Sequence, residues 1–216
     1  CRLAAGRTDD GHPAQGWRTA SREPEAQASA AGAGDVLRLG VDFSQHGGEL
    51  AAATVTCWKA QGVSHAVVQY SERMPRHLNV LTTAGGIEIE AYVYLYWGLS
   101  PWNQTPADRT NAALRMMAGY DVKRLWLDCE DQTHSFRPDQ LDECVAICEA
   151  AGMPAGIYTG GWWWRPYTSN SDRYSHLPLW DARYLAEAPI PDLGLMPPSL
   201  EGSGGYGGWD DATIWQ

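Results

Sequence analysis

Short apolar runs bounded by polar residues recur along the chain and alternate with segments of helical spacing. Residues 39–44 predict a first strand, and residues 49–62 a helix with Leu50, Ala53, Cys57 and Ala60 near helical spacing and Gly62 as the stop. A second strand is predicted over 66–70, then an irregular helical stretch over 72–84 interrupted by Pro75. Residues 89–97 predict a long aromatic third strand. Residues 105–120 predict a helix with Thr105 as N-cap, Pro106 at the first helical position, and Ala112, Ala113, Met116 and Met117 on one side. The fourth strand covers 124–130. Pro138 opens the next helix, which runs through Leu141, Cys144, Val145, Cys148 and Ala151 to Gly152. A fifth strand (154–159), a loop (160–167), a sixth strand (178–184), a Pro- and Gly-rich loop (186–211) and a last strand (212–216) complete the order. Residues 1–36 lack apolar periodicity and predict a flexible linker or tail, which leaves one domain over 37–216.

Strands alternating with helices predict a parallel sheet with covering helices. Polar residues collect after each strand, at the C-terminal ends, the face that carries activity in a β/α barrel. An open doubly wound sheet has the same alternation, but the Gly47-Gly48 pair after the first strand lacks the GxGxxG form. The expected fold is therefore α/β: an irregular, TIM-like (β/α)-barrel of parallel strands, with the helices after the fifth and sixth strands short or missing.

The fourth strand holds the candidate chemistry. Its apolar run, Leu125-Trp126-Leu127, stops at Asp128-Cys129-Glu130-Asp131. Strand alternation turns Asp128 and Glu130 the same way, with Cα atoms ~6.6 Å apart and Cys129 on the opposite face. Two neighbouring carboxylates at a strand end are costly unless charge, protons or a ligand stabilise them. A solvated strand end and a hard-cation site that also uses Asp42 are the alternatives.

Composition narrows the partners. The formal charge of −10 argues against nucleic acid and against adsorption to anionic membranes. No apolar run approaches the ~20 residues that span a bilayer. Eleven Trp and ten Tyr against two Phe give aromatics with polar handles, suited to sugar faces. The five cysteines form no closed framework and no CxxC metal pattern, and Cys1 is a weak candidate for lipid anchoring. The histidines show no metal spacing, and no GxSxG elbow is present.

Several segments together resemble the family 25 glycoside hydrolases, the Chalaropsis-type lysozymes. They are Gly40-Val41-Asp42-Phe43-Ser44, Leu127-Asp128-Cys129-Glu130, Gly156-Ile157-Tyr158, Leu179-Trp180-Asp181-Ala182-Arg183-Tyr184 and Ile214-Trp215-Gln216, in the family's order over residues 38–216. The resemblance implies a retaining β-1,4-N-acetylmuramidase that cuts peptidoglycan glycan strands on an irregular barrel, without cofactor or metal. It implies Glu130 as general acid/base, Asp128 as the carboxylate assisting the substrate's 2-acetamido group, and Asp42 as an acidic residue at the groove's base. Tyr158 and Trp180 match groove positions. Tyr94, Tyr96, Trp97, Asp181 and Trp215 join them as expected substrate contacts, with Trp102 as a second flank beside Trp97. The implied setting is secreted, at the cell wall, or on a phage particle.

Two departures stand out. Asp181 replaces a small apolar residue and is expected to bring a further carboxylate to the site, with Arg183 as a salt-bridge partner. The family's last strand also continues past W-Q to an acidic residue, a position this sequence does not supply. These keep open a second reading, a weak or inactive lysozyme-like module that binds glycan or packs in a virion or surface assembly. Residues 1–36 and Trp162, Trp163 and Trp164 are the candidate contacts for such an assembly, the Trp run fitting a stacking platform equally well. A metal-dependent open-sheet hydrolase is the distant third.

Overall fold

The computed structural model describes residues 16–20, 37–44, 47–182 and 205–215. Eight strands close into one barrel in chain order. β2 (Leu37–Phe43), β3 (Val63–Gln69), β4 (Glu88–Tyr94), β5 (Val122–Asp128), β6 (Ala155–Thr159), β7 (Leu179–Asp181) and β8 (Ile214–Trp215) run parallel, each beside its predecessor. β1 (Gly16–Ala20) pairs antiparallel with both β2 and β8 and closes the ring. The expected tail over 1–36 thus contributes a strand. Its pairing is through backbone groups, which side-chain periodicity does not reveal.

Helices α1 (Ala52–Ala60), α2 (Met74–Ala84), α3 (Pro106–Met117), α4 (Pro138–Ala150) and α5 (Gly161–Thr168) cover the sheet. α3 starts as the sequence predicts: Thr105 Oγ1 accepts from the Asp108 amide at 3.1 Å and the Asp108 carboxylate accepts from the Thr105 amide at 3.0 Å. Pro75 lies in the first turn of α2 rather than interrupting it, where its missing N–H leaves no gap. The inner face of α1 is Val55 and Trp58, not Ala53, Cys57 and Ala60. Cys57 is disulfide-bonded, whereas Cys129, Cys144 and Cys148 are free and buried. The segment expected as a loop after the fifth strand is α5, a short helix. Of the loop expected over 186–211, residues 205–209 form a turn that buries Tyr206 and Trp209; residues 183–204 lie outside the described residues.

Side chains of alternate parity fill two separate cores. Outward-facing Val68, Ala91, Val93, Leu125, Leu127, Cys129 and Ile157 pack under the helices. Inward-facing Val67, Tyr92, Trp126, Tyr158, Trp180, Ala182 and Ile214 fill the lumen. Trp180 is edge-on to Tyr92, Trp126 and Tyr158 at ring separations of 5.9, 5.8 and 4.5 Å. Below them, towards the strands' N-terminal ends, His65 meets Glu88 and Glu90 at 3.5 and 3.3 Å, and Glu90 also accepts from the Trp126 indole N–H and from Arg124. Burial opposes a charge on His65, but these two carboxylates outweigh it and raise its pKa.

Gly156 makes the lumen packing possible. A Cβ there would fall 2.5 Å from ring carbons of Trp126, which is fully buried and has no room to move. Gly156→Ala is therefore expected to destabilise the protein by about 1–3 kcal/mol, the usual cost of overpacking, read as a lower urea midpoint at unchanged slope.

Candidate active site

β5 ends by presenting Asp128 into the lumen mouth, since Trp126, two residues earlier, faces inward while Leu127 and Cys129 face the helices. Glu130 shares that parity. Asp42 on β2 completes a carboxyl cluster: the charges of both Glu130 and Asp42 bear on Asp128. Burial raises the pKa of Glu130 to about 7 and that of Asp42 to about 7. Asp128 is pushed well above the carboxylate range by burial first, then by Glu130 and Asp42, with Arg109 opposing. Asp42 Oδ1, Asp128 Oδ1 and Glu130 Oε1 are buried without a hydrogen-bond partner. Other buried polar atoms of the structure also lack a partner, but these three fall together on one acidic cluster, which points to a place where something else binds.

The backbone around these acids is locked on both sides. The Asp128 carbonyl accepts from the Leu95 amide at 3.0 Å, the Cys129 amide donates to the Tyr158 carbonyl at 2.9 Å, and the Cys129 carbonyl accepts from Thr159 Oγ1 at 3.0 Å. The Asp131 carbonyl accepts from the Trp163 indole at 3.0 Å. The fully buried Asp131 carboxylate accepts from the Trp97 amide at 2.9 Å, the Thr133 amide at 2.8 Å and Thr133 Oγ1 at 2.6 Å, and lies 2.8 Å from His134 Nδ1. Burial would raise its pKa, but these bonds outweigh it and hold Asp131 low, as an ionised clamp between the loops after β4 and β5.

Sequence reasoning passed over two members of this site. Asp131 was legible by parity, since it alternates away from Glu130 with Cys129. Arg109 gave no signal, being fifteen residues from its nearest strand contact. It donates Nε–H to the Tyr94 carbonyl at 2.8 Å, is 5% exposed, and lies 5.1, 5.3 and 5.2 Å from the ring centres of Tyr70, Tyr96 and Trp102. It is the cation that opposes the rise in Asp128's pKa.

Solved structures share this architecture. A glycosyl hydrolase 25 of Streptococcus pneumoniae, described as a virulence factor participating in host cell invasion, is 18% identical over 74% of this chain and 72% of that one, with a TM-score of 0.55. This is the glycosyl hydrolase 25 fold. The CTP1L endolysin, whose activity is described as regulated by a secondary translation product, is 16% identical over 68% of this chain, with a TM-score of 0.53; the match spans 53% of the endolysin. No family model and no curated protein matches the chain.

Within this barrel, the expected substrate contacts separate. Tyr94 and Tyr96 are partly buried at the mouth, with rings 4.7 Å apart, and Tyr94 is near enough to feel Asp128, Asp131 and Glu130. Tyr158 and Trp180 lie in the lumen, Tyr158 in register beside Asp128 and Trp180 beside Tyr158. Trp97 is a correction: it is 2% exposed, packed against Phe136 and Trp163 under the helices, and turns no face to the mouth. Asp181 is another. It has the parity opposite to Trp180 and Ala182, faces away from the lumen, and accepts from the Tyr206 hydroxyl at 2.7 Å. It adds no carboxylate to the mouth. Trp215 lies on β8 beside Asp181 in register; its side chain and Arg183 lie outside what is described. Trp163 and Trp164 are fully buried in the chain's own core, which removes them as assembly contacts, while Trp162 is exposed. Among the described residues no cluster of His, Cys, Asp and Glu is placed to hold a metal ion, and no helix is long and apolar enough to cross a membrane.

The raised carboxyl pKa values fix the sign of a stability effect. A carboxyl whose folded pKa exceeds its unfolded value favours the fold below about pH 4, and that contribution is lost as pH rises through about 7. Asp128→Asn removes one of the charges that must be buried. It is expected to raise stability at pH 8 by roughly 1–3 kcal/mol, with the gain shrinking towards pH 4, as followed by thermal melts across that range.

Proposed function

We propose that this chain is a peptidoglycan-cleaving glycoside hydrolase, a retaining β-1,4-N-acetylmuramidase of lysozyme type acting at the cell wall, as a secreted or phage-borne protein. The observation that carries the reading is the set of three buried, unpartnered carboxyl oxygens at the C-terminal mouth of a barrel otherwise packed solid. Glycoside cleavage needs one protonated carboxyl beside the leaving oxygen and negative charge near the developing oxocarbenium centre. A crowded carboxyl cluster at neutral pH supplies both, because its members cannot all ionise.

In this reading Glu130, poised near pH 7, donates its proton to the glycosidic oxygen as the bond to the anomeric carbon breaks. The carbonyl oxygen of the substrate's 2-acetamido group attacks that carbon. Asp128 accepts the acetamido N–H and offsets the positive charge that develops there; burial, Glu130 and Asp42 oppose the ionised form this needs, and Arg109 and the cationic intermediate favour it. Glu130, now a carboxylate, then removes a proton from the water that opens the cyclic intermediate, so configuration is retained. Asp42 tunes the charge on Asp128 from across the mouth. The locked peptides around residues 128–131 support the reading, since a proton donor works only when held in place.

The test is release of reducing ends from purified peptidoglycan. The parent is expected to lose activity as pH rises past about 7, where Glu130 gives up its proton. Glu130→Gln is expected to lower the rate by about 10²–10⁴-fold. Binding without release by the parent would leave a glycan-binding module, and release that survives Glu130→Gln would remove Glu130 from the acid role.

A further inference from the structure

Two exposed tryptophans stand at the mouth, one on each side of the acids. Trp102, 60% exposed, follows β4 and leans edge-on against Tyr96 with ring centres 6.4 Å apart, over Arg109. Trp162, 48% exposed, opens α5 just after β6. The strand order β4–β5–β6 puts Asp128 between them, in register with Tyr94 on one side and Tyr158 on the other.

Trp162 is held over the mouth rather than over the helices. Gly160 has the parity of Tyr158, so a Cβ there would point lumenward, and it would meet Trp162 Nε1 at 2.3 Å, Cδ1 at 2.5 Å and the Ala182 carbonyl at 2.8 Å. The pyrrole edge of the indole therefore sits close against a glycine backbone, at a rim whose other neighbour, Ala182, belongs to the lumen. Its two sequence neighbours serve the fold instead: Trp163 stacks on Tyr167 and ties down Asp131, and Trp164 packs edge-on against Trp209. An indole seated this way with nearly half its surface open is a platform for the apolar face of a pyranose ring.

We propose that Trp162 is a sugar-stacking residue on the β6 side of the acids, paired with Trp102 on the β4 side, so that the site grips a glycan strand on both sides of the bond it cuts. This rests on the hydrolase reading above. The strands behind the two platforms are two sheet spacings apart, about 10 Å, so a ligand that reaches both must extend beyond the sugar at the acids.

The experiment compares parent, Trp162→Ala and Trp162→Phe on soluble uncrosslinked peptidoglycan strands and on a chromogenic aryl glycoside of a single N-acetylated sugar. Binding of the same strands to Glu130→Gln with and without Trp162→Ala is measured alongside. Trp162→Ala is expected to lower the strand-to-glycoside ratio of kcat/KM about tenfold, mostly through KM, and to weaken strand binding by a similar factor, with Phe restoring part of both. An unchanged ratio and unchanged binding in a parent that cleaves strands would overturn the Trp162 assignment alone. A parent that neither cleaves nor binds strands would overturn it together with the hydrolase reading. A parent that binds without cleaving still decides the matter by the binding comparison.

Discussion

Three neighbouring carboxyl groups, each with one oxygen buried and unpartnered, set the terms for the rest of this molecule. Burial makes their ionised forms expensive, and each one's charge makes its neighbour's more so. The surrounding structure holds them there nonetheless. Beneath them a lumen of interlocked aromatic rings allows no inward collapse. Around them the peptides of Asp128, Cys129 and Asp131 are tied to another strand, loop or helix. Favourable packing elsewhere offsets a local penalty that would otherwise relax, the arrangement expected where reactivity and stability compete.

Asp131 and Arg109 show how two groups with opposite charge serve the same cluster. Asp131 collects donors from the loops after β4 and β5 and stays ionised, so its role is mechanical. Arg109 has few polar contacts and is surrounded by rings, and burial lowers its own pKa. A poorly solvated cation acts more strongly on nearby charges than one exposed to water, and this one bears on Asp128.

Much of this was legible from the chain because it depends on local periods. Alternation alone put Asp128 and Glu130 on one face and Cys129 on the other, and the turn chemistry at Thr105 and Pro106 marked the start of α3. The same alternation, applied to Leu179-Trp180-Asp181, would have turned Asp181 outward once Trp180 was assigned to the lumen. Features set by distant contacts were not legible. The inner face of α1 depends on which of its residues meets α2 and β3, Trp97 is captured by Phe136 and Trp163, and β1 exists because two strand edges need backbone partners. The three successive tryptophans read as one feature but have three different fates, since a helix start sends consecutive residues in different directions.

His65, Glu90, Arg124 and the Trp126 indole form a polar plug across the lumen. With its lower end stoppered, the barrel is a cup and not a conduit. Whatever enters must leave by the same opening, so in the hydrolase reading proposed above a long polymer would be laid across the brim and lifted off sideways, never threaded through.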